Sequence, residues 1–89
     1  MAETTNTQTV KSVLFDAAAN YLYVTAANAW GAPGCPSALY ITINATTPGF
    51  KQFFAAVLAA QASGKTVRFQ GTCNASGSNY FDATYIEIQ

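Results

Sequence analysis

The chain has 89 residues, enough for one hydrophobic core, and a domain of this size buries only about 60–65% of the surface its unfolded chain exposes. Charged residues make up 9% of it with a formal net charge of zero, against about 25% in an ordinary soluble domain, and Lys11, Lys51, Lys65 and Arg68 are too few to neutralise a phosphate backbone, which excludes a nucleic-acid partner. The longest apolar stretch, Phe53 to Ala60, falls far short of the about 20 residues of a membrane helix, and two cysteines without a histidine exclude an ordinary four-ligand zinc site.

Residues 1–8 are polar and without periodicity, and are expected to form an N-terminal arm or short strand extension ahead of a single domain at 9–89. Met1 directly before Ala2-Glu3-Thr4-Thr5 reads as a mature end carrying an expression methionine, so an exported protein is expected. From Val10 to Asp16 the residues Val13, Leu14 and Phe15 favour a strand. Ala17-Ala18-Ala19-Asn20 interrupts it before Tyr21 to Thr25 resumes, which predicts a hairpin. Alternation puts Leu22 and Val24 on the core side and Tyr21, Tyr23 and Thr25 on the other.

Gly31, Pro33, Gly34 and Pro36 around Trp30 and Cys35 forbid helix or central strand from Ala26 to Ser37, leaving a loop. Leu39, Ile41 and Ile43 alternate with Tyr40, Thr42 and Asn44, the clearest period of two in the chain and a third strand. Thr46 or Thr47 is expected to cap a helix with Pro48 in its first turn, and Gly64 to end it in a left-handed conformation. Phe50, Phe53, Phe54, Val57, Leu58 and Gln61 recur at helical spacing as its core stripe. Ala55, Ala56, Ala59 and Ala62 lie on the opposite face and suit close packing against another copy. A fourth strand follows Lys65 with Val67 and Phe69 inward. A polar loop from Gly71 to Asn79 carries Cys73, and a fifth strand runs from Tyr80 to Ile88 with Ile86 and Ile88 opposite Tyr85 and Glu87.

Cys35 and Cys73 read as a disulfide, with two buried free thiols in a reducing compartment as the alternative. A crosslink closing a loop of that length restricts the unfolded chain by roughly 4 kcal/mol. Catalysis is not expected, because histidine is absent and the acids Glu3, Asp16, Asp82 and Glu87 are scattered over different elements. Asp16 and Asp82 at loop mouths read as structural polar groups. Ser12, Ser37, Ser63, Ser76 and Ser78 lack a base. The sequons at Asn44 and Asn74 are short enough to arise by chance. Tyr21, Tyr23, Tyr40, Tyr85 and Trp30 are expected off the core face, where amphipathic rings stack on sugars or fill an interface. An uncharged surface on a chain that is 51% hydrophobic favours a homo-oligomer.

The element order, three strands, a helix and two strands, is that of the five-stranded OB-fold barrel, in a chain that is mainly β with one helix. Pro48-Gly49-Phe50-Lys51, the apolar helix after it, and Ser63-Gly64-Lys65-Thr66-Val67-Arg68-Phe69 resemble the helix and fourth strand of the B subunits of the subtilase cytotoxin and pertussis-like toxin group. The resemblance covers roughly residues 35–70. It implies a secreted or periplasmic bacterial protein, assembled as a homopentamer with its helices lining a pore, that binds cell-surface carbohydrate without a cofactor and can carry a toxic A subunit. In that group the sugar pocket lies ahead of and along the first strand, often with an aromatic at the helix end; here the helix ends in Ala59-Ala60-Gln61-Ala62-Ser63. On this resemblance Thr5, Asn6, Thr7 and Ser12 hydrogen-bond sugar hydroxyls and Tyr21 or Tyr23 supplies an apolar face. The alternative function is a structural subunit of an extracellular assembly or filament with no small ligand.

Overall fold

The structure, a computed structural model, describes residues 2–89; the expected expression methionine, Met1, lies outside them. It is mainly β with one helix. The strands are β1 (Glu3–Thr4), β2 (Gln8–Thr9), β3 (Ser12–Asp16), β4 (Tyr21–Thr25) and β5 (Tyr40–Asn44), followed by the helix α1 (Phe50–Ser63), then β6 (Thr66–Cys73) and β7 (Tyr80–Ile88). They form one sheet in the order β1-β6-β7-β5-β4-β3, with β2 also paired to β6. Every pair is antiparallel except β5 with β7.

The expected five-stranded barrel is therefore corrected to an open sheet of seven strands, six in one path and β2 beside it. The difference lies in the first eleven residues. The segment read as a polar arm is drawn onto β6, where Glu3 pairs with Gly71 and Gln8 with Val67. Between these short pairings Thr5 turns inward: its N–H donates to the Phe69 carbonyl (2.8 Å), and its hydroxyl accepts from the Phe69 N–H (2.9 Å) and donates to the Asn6 carbonyl (2.9 Å). A side chain standing in for the backbone breaks the ladder, so the run appears as pieces rather than one strand.

Alternation builds the core. Leu22 and Val24, Ile41 and Ile43, Val67 and Phe69, and Phe81 and Ala83 all point to one side and are buried. Gly71 and Ala83 are register partners beside a bulge in the β6–β7 ladder. The extra residue reverses the parity of β7, so that Phe81 and Ala83 face inward before it and Ile86, packed on the core, after it. Helix α1 closes this side with Phe53, Val57 and Ala60. Its cap differs from expectation: Gly49 is the N-cap without a side-chain bond, and Thr47 contributes its carbonyl, not its hydroxyl, to the Phe50 N–H (3.0 Å). Gly64, at φ 68°, ends the helix and directs its N–H to the last-turn carbonyls. Leu58, expected in the core stripe, is 43% exposed, and Ala60 takes the buried position because it lies one turn beyond Val57 and two beyond Phe53 on the same side.

Trp30 is the larger correction. Expected off the core face, it is fully buried, its ring edge-on to Phe69 at 5.1 Å, while Phe53 lies 5.7 Å from the same Phe69. The loop from Ala26 to Ala38 carries the indole inward because it is clamped from two directions. The N-terminal segment binds it through Asn6 N–H to the Trp30 carbonyl (2.8 Å), Asn6 Nδ2 to the Ala29 carbonyl (3.2 Å) and Gly34 N–H to Glu3 Oε1 (2.7 Å). The Cys35–Cys73 disulfide, present as expected with its Cα atoms 5.9 Å apart, ties the loop to the end of β6. No helix among the described residues is long and apolar enough to cross a membrane.

Candidate functional site

The outward side of β4, β5 and β7 collects what the alternation rejects from the core. Leu14, Tyr23, Thr42 and Asp82 stand in one cross-strand row, since Leu14 pairs with Tyr23, Tyr23 with Thr42 and Thr42 with Asp82. Asp16, Tyr21 and Asn44 form the next row, and Tyr40 pairs with Tyr80 on the far side. Tyr23 is the hub. Its ring centroid lies 6.3 Å from Tyr21, 6.0 Å from Tyr40 and 6.2 Å from Tyr80, and Tyr40 stacks on Tyr80 at 5.5 Å with an angle of 23°. Tyr80 is 43% exposed and the other three are half-buried.

Beside this platform is a cleft of about 220 Å³ lined by Tyr21, Tyr23, Thr42, Asn74, Tyr80 and Asp82. Its floor is polar and organised. The Thr42 hydroxyl donates to Asp82 Oδ1 (2.6 Å) and Asn74 Nδ2 to Asp82 Oδ2 (3.4 Å). The loop between β6 and β7 holds Asn74 and Tyr80 in place: the Asn74 N–H donates to the Tyr80 carbonyl (3.1 Å), and the Tyr80 N–H to Ser78 Oγ (3.1 Å). Cys73 immediately precedes Asn74, so the disulfide anchors one wall. The Tyr23 phenol is held above its usual pKa, chiefly by desolvation and then by the negative charge of Asp16.

The residues expected to bind ligand fall into two groups. Tyr21 and Tyr23 meet at the cleft. Thr5, Asn6, Thr7 and Ser12 do not join them. Thr5 is buried against Phe69, Asn6 is spent on the Trp30 loop, Ser12 bonds the Thr25 hydroxyl across the hairpin, and Thr7 stands exposed on the N-terminal segment. The sequence reading missed Tyr80, Thr42, Asn74 and Asp82 as members of one site. Parity would have found Thr42, which flanks inward Ile41, but not Tyr80 and Asp82, because the bulge reverses the parity of β7 and the side read from Ile86 and Ile88 puts them in the core. Asn74 gave no such signal, since only the loop geometry brings it to Asp82.

Asp16 and Asp82 are separated in the sheet by β4 and β5, or about 14 Å at ordinary strand spacing, too far to share a proton. Asp16 instead accepts from the Ala18 and Ala19 N–H groups in the hairpin turn at 3.0 and 3.1 Å. The sequon at Asn44 is a closed turn, its Oδ1 accepting from the Thr46 N–H and hydroxyl at 2.8 and 2.7 Å. On the helix, Ala55, Ala59 and Ala62 are exposed, Ala56 is half-buried, and exposed Leu58 completes an apolar stripe with the first three. Among the described residues no cluster of three or more metal-ligating side chains occurs. Comparison with protein-family profiles, with curated proteins and with solved structures finds no match to this chain.

Proposed function

We propose that the protein is a carbohydrate-binding module, exported from a bacterial cell, that holds sugars against its tyrosine face and assembles with copies of itself. The observation that carries this reading is the tyrosine platform beside a cleft whose floor is a hydrogen-bonded carboxylate, hydroxyl and amide. A pyranose offers a C–H face and a ring of hydroxyls, and both halves of that chemistry find partners here: phenol rings for the first, and Asp82, Thr42, Asn74 and the tyrosine hydroxyls for the second. The disulfide supports export, because such bonds persist in oxidising compartments.

On this reading the chain is related to the toxin B subunits through its element order, three main strands, a helix and two strands, carried here on an open sheet of seven strands. The run from β2 to β3 spans much of the sheet, since β2 pairs with β6, one strand in from the β1 edge, and β3 forms the opposite edge beside β4. Its sugar face would then lie on β4, β5 and β7 rather than along the first strand. Ring assembly is supported by the exposed stripe of Ala55, Leu58, Ala59 and Ala62, whose small side chains allow close helix contact.

A glycan array with the purified protein tests the binding claim. Binding to a defined set of terminal sugars that is lost in Tyr80→Ala, while light scattering reports an unchanged oligomer, is the expected result. The exposed apolar helix stripe also favours the second reading, a structural subunit without a small ligand. An empty array together with filaments in electron micrographs would establish that reading instead, and a monodisperse monomer would remove the assembly claim from both.

A further inference from the structure

The charges around the cleft say which sugars it accepts. The charged residues on the tyrosine face are Asp82 in the cleft and Asp16 beside Tyr21. None of Lys11, Lys51, Lys65 and Arg68 lines this cleft or the adjoining one of about 210 Å³ beside Asn44 and Thr84. Arg68 is engaged elsewhere, its Nε 2.8 Å from Glu87 Oε1 on β6 and β7. A molecule with zero formal net charge thus presents, among the described residues lining these two clefts, Asp82 as the one charged side chain, with Asp16 beside Tyr21.

We infer that the site takes uncharged sugars with adjacent free hydroxyls and rejects sugars bearing a carboxylate or sulfate. This rests on the carbohydrate reading above. Each carboxylate oxygen of Asp82 accepts one bond within the protein, from Thr42 or from Asn74, and retains a further lone-pair position. The pair of free positions matches two neighbouring hydroxyls, each donating one hydrogen bond to a charged acceptor, which is the stronger class of such bonds. An acidic sugar in the same place would set its own anion against Asp82, with no Lys or Arg side chain lining the cleft to balance it. Like charges juxtaposed across an interface cost enough to weaken binding by roughly a hundredfold or more.

The test uses N-acetyllactosamine, its sialylated and its sulfated derivative, each immobilised and probed with the wild-type protein, Asp82→Asn and Tyr80→Ala. The expected result is binding of the neutral glycan at least about a hundredfold tighter than either acidic one, with that ratio shrinking towards unity in Asp82→Asn. Asparagine keeps the acceptor for Thr42, and near-ultraviolet circular dichroism verifies that the variant is folded. Equal or tighter binding of an acidic glycan that is lost in Tyr80→Ala would overturn the charge inference and leave the carbohydrate reading standing. Failure of all three glycans, and of every neutral sugar on the wider array, would overturn both.

Discussion

At the scale of single residues, the outer face is governed by Tyr23, whose environment is unlike that of an isolated phenol. Burial is the larger cause of its raised pKa and the Asp16 charge the second. Because the folded-state value lies above the usual phenol value of about 10, Tyr23 contributes stability that is fully present below pH 10 and lost as pH rises through the folded value. Absorbance titration at 295 nm should therefore show a tyrosine ionising later than the others, and Asp16→Asn should bring that phase earlier without abolishing the lag. Simultaneous ionisation of all the tyrosines in the folded protein would show that the ring cluster does not shield Tyr23. That Tyr21 and Tyr23 share a side was legible from alternation alone. That Tyr23 also meets Tyr40 and Tyr80 was not, because the parallel pairing of β5 with β7 joins residues 40 apart in the chain, Tyr40 and Tyr80.

At the scale of elements, the bulge in the β6–β7 ladder decides which side of β7 is core. A Cβ added at Gly71 would fall on the Asp82 carbonyl oxygen and within 2.9 Å of the Ala83 Cα, both backbone atoms that have no rotamer to escape into. Gly71→Ala is expected to cost about 1–3 kcal/mol, the range for overpacking. It should also disturb the cleft, since Asp82 is the residue displaced; thermal unfolding and glycan binding should fall together. A Gly71→Ala protein with wild-type stability would mean that the two strands are not held at this separation. The helix gives the opposite lesson. Its C-terminal end and most of its core stripe follow from Gly64 and the phenylalanine spacing, but Leu58 was assigned to the wrong side, because Phe54 and Leu58 share a row and only the tilt of the helix on the sheet separates half-buried from exposed.

At the scale of the whole molecule, the disulfide and the N-terminal segment together hold the Trp30 loop on the core and the Asn74 loop at the cleft. Cys35→Ser with Cys73→Ser should lower stability by about 2–5 kcal/mol, the usual loss for a small disulfide-bonded domain. The same variant should shift Trp30 fluorescence to the red as the loop loosens, and weaken sugar binding through Asn74. An unchanged emission spectrum would show that the N-terminal clamp suffices alone. The sequence by itself determined the local periods: the places of the five main strands, the helix and its glycine end, the cysteine pairing, and the outward tyrosines of β4. These depend on alternation, helical spacing and backbone conformation, which neighbours along the chain dictate. Only the tertiary structure decided that the polar N-terminus joins β6, that Trp30 fills the core, and that Asp82, Thr42 and Asn74 gather beside the tyrosines. Most of those outcomes depend on contacts between residues 20 or more positions apart, such as Asn6 with Ala29, Thr5 with Phe69 and Thr42 with Asp82, and Asn74 reaches Asp82 through the fold of an irregular loop; no local pattern encodes which partner will satisfy a given polar group.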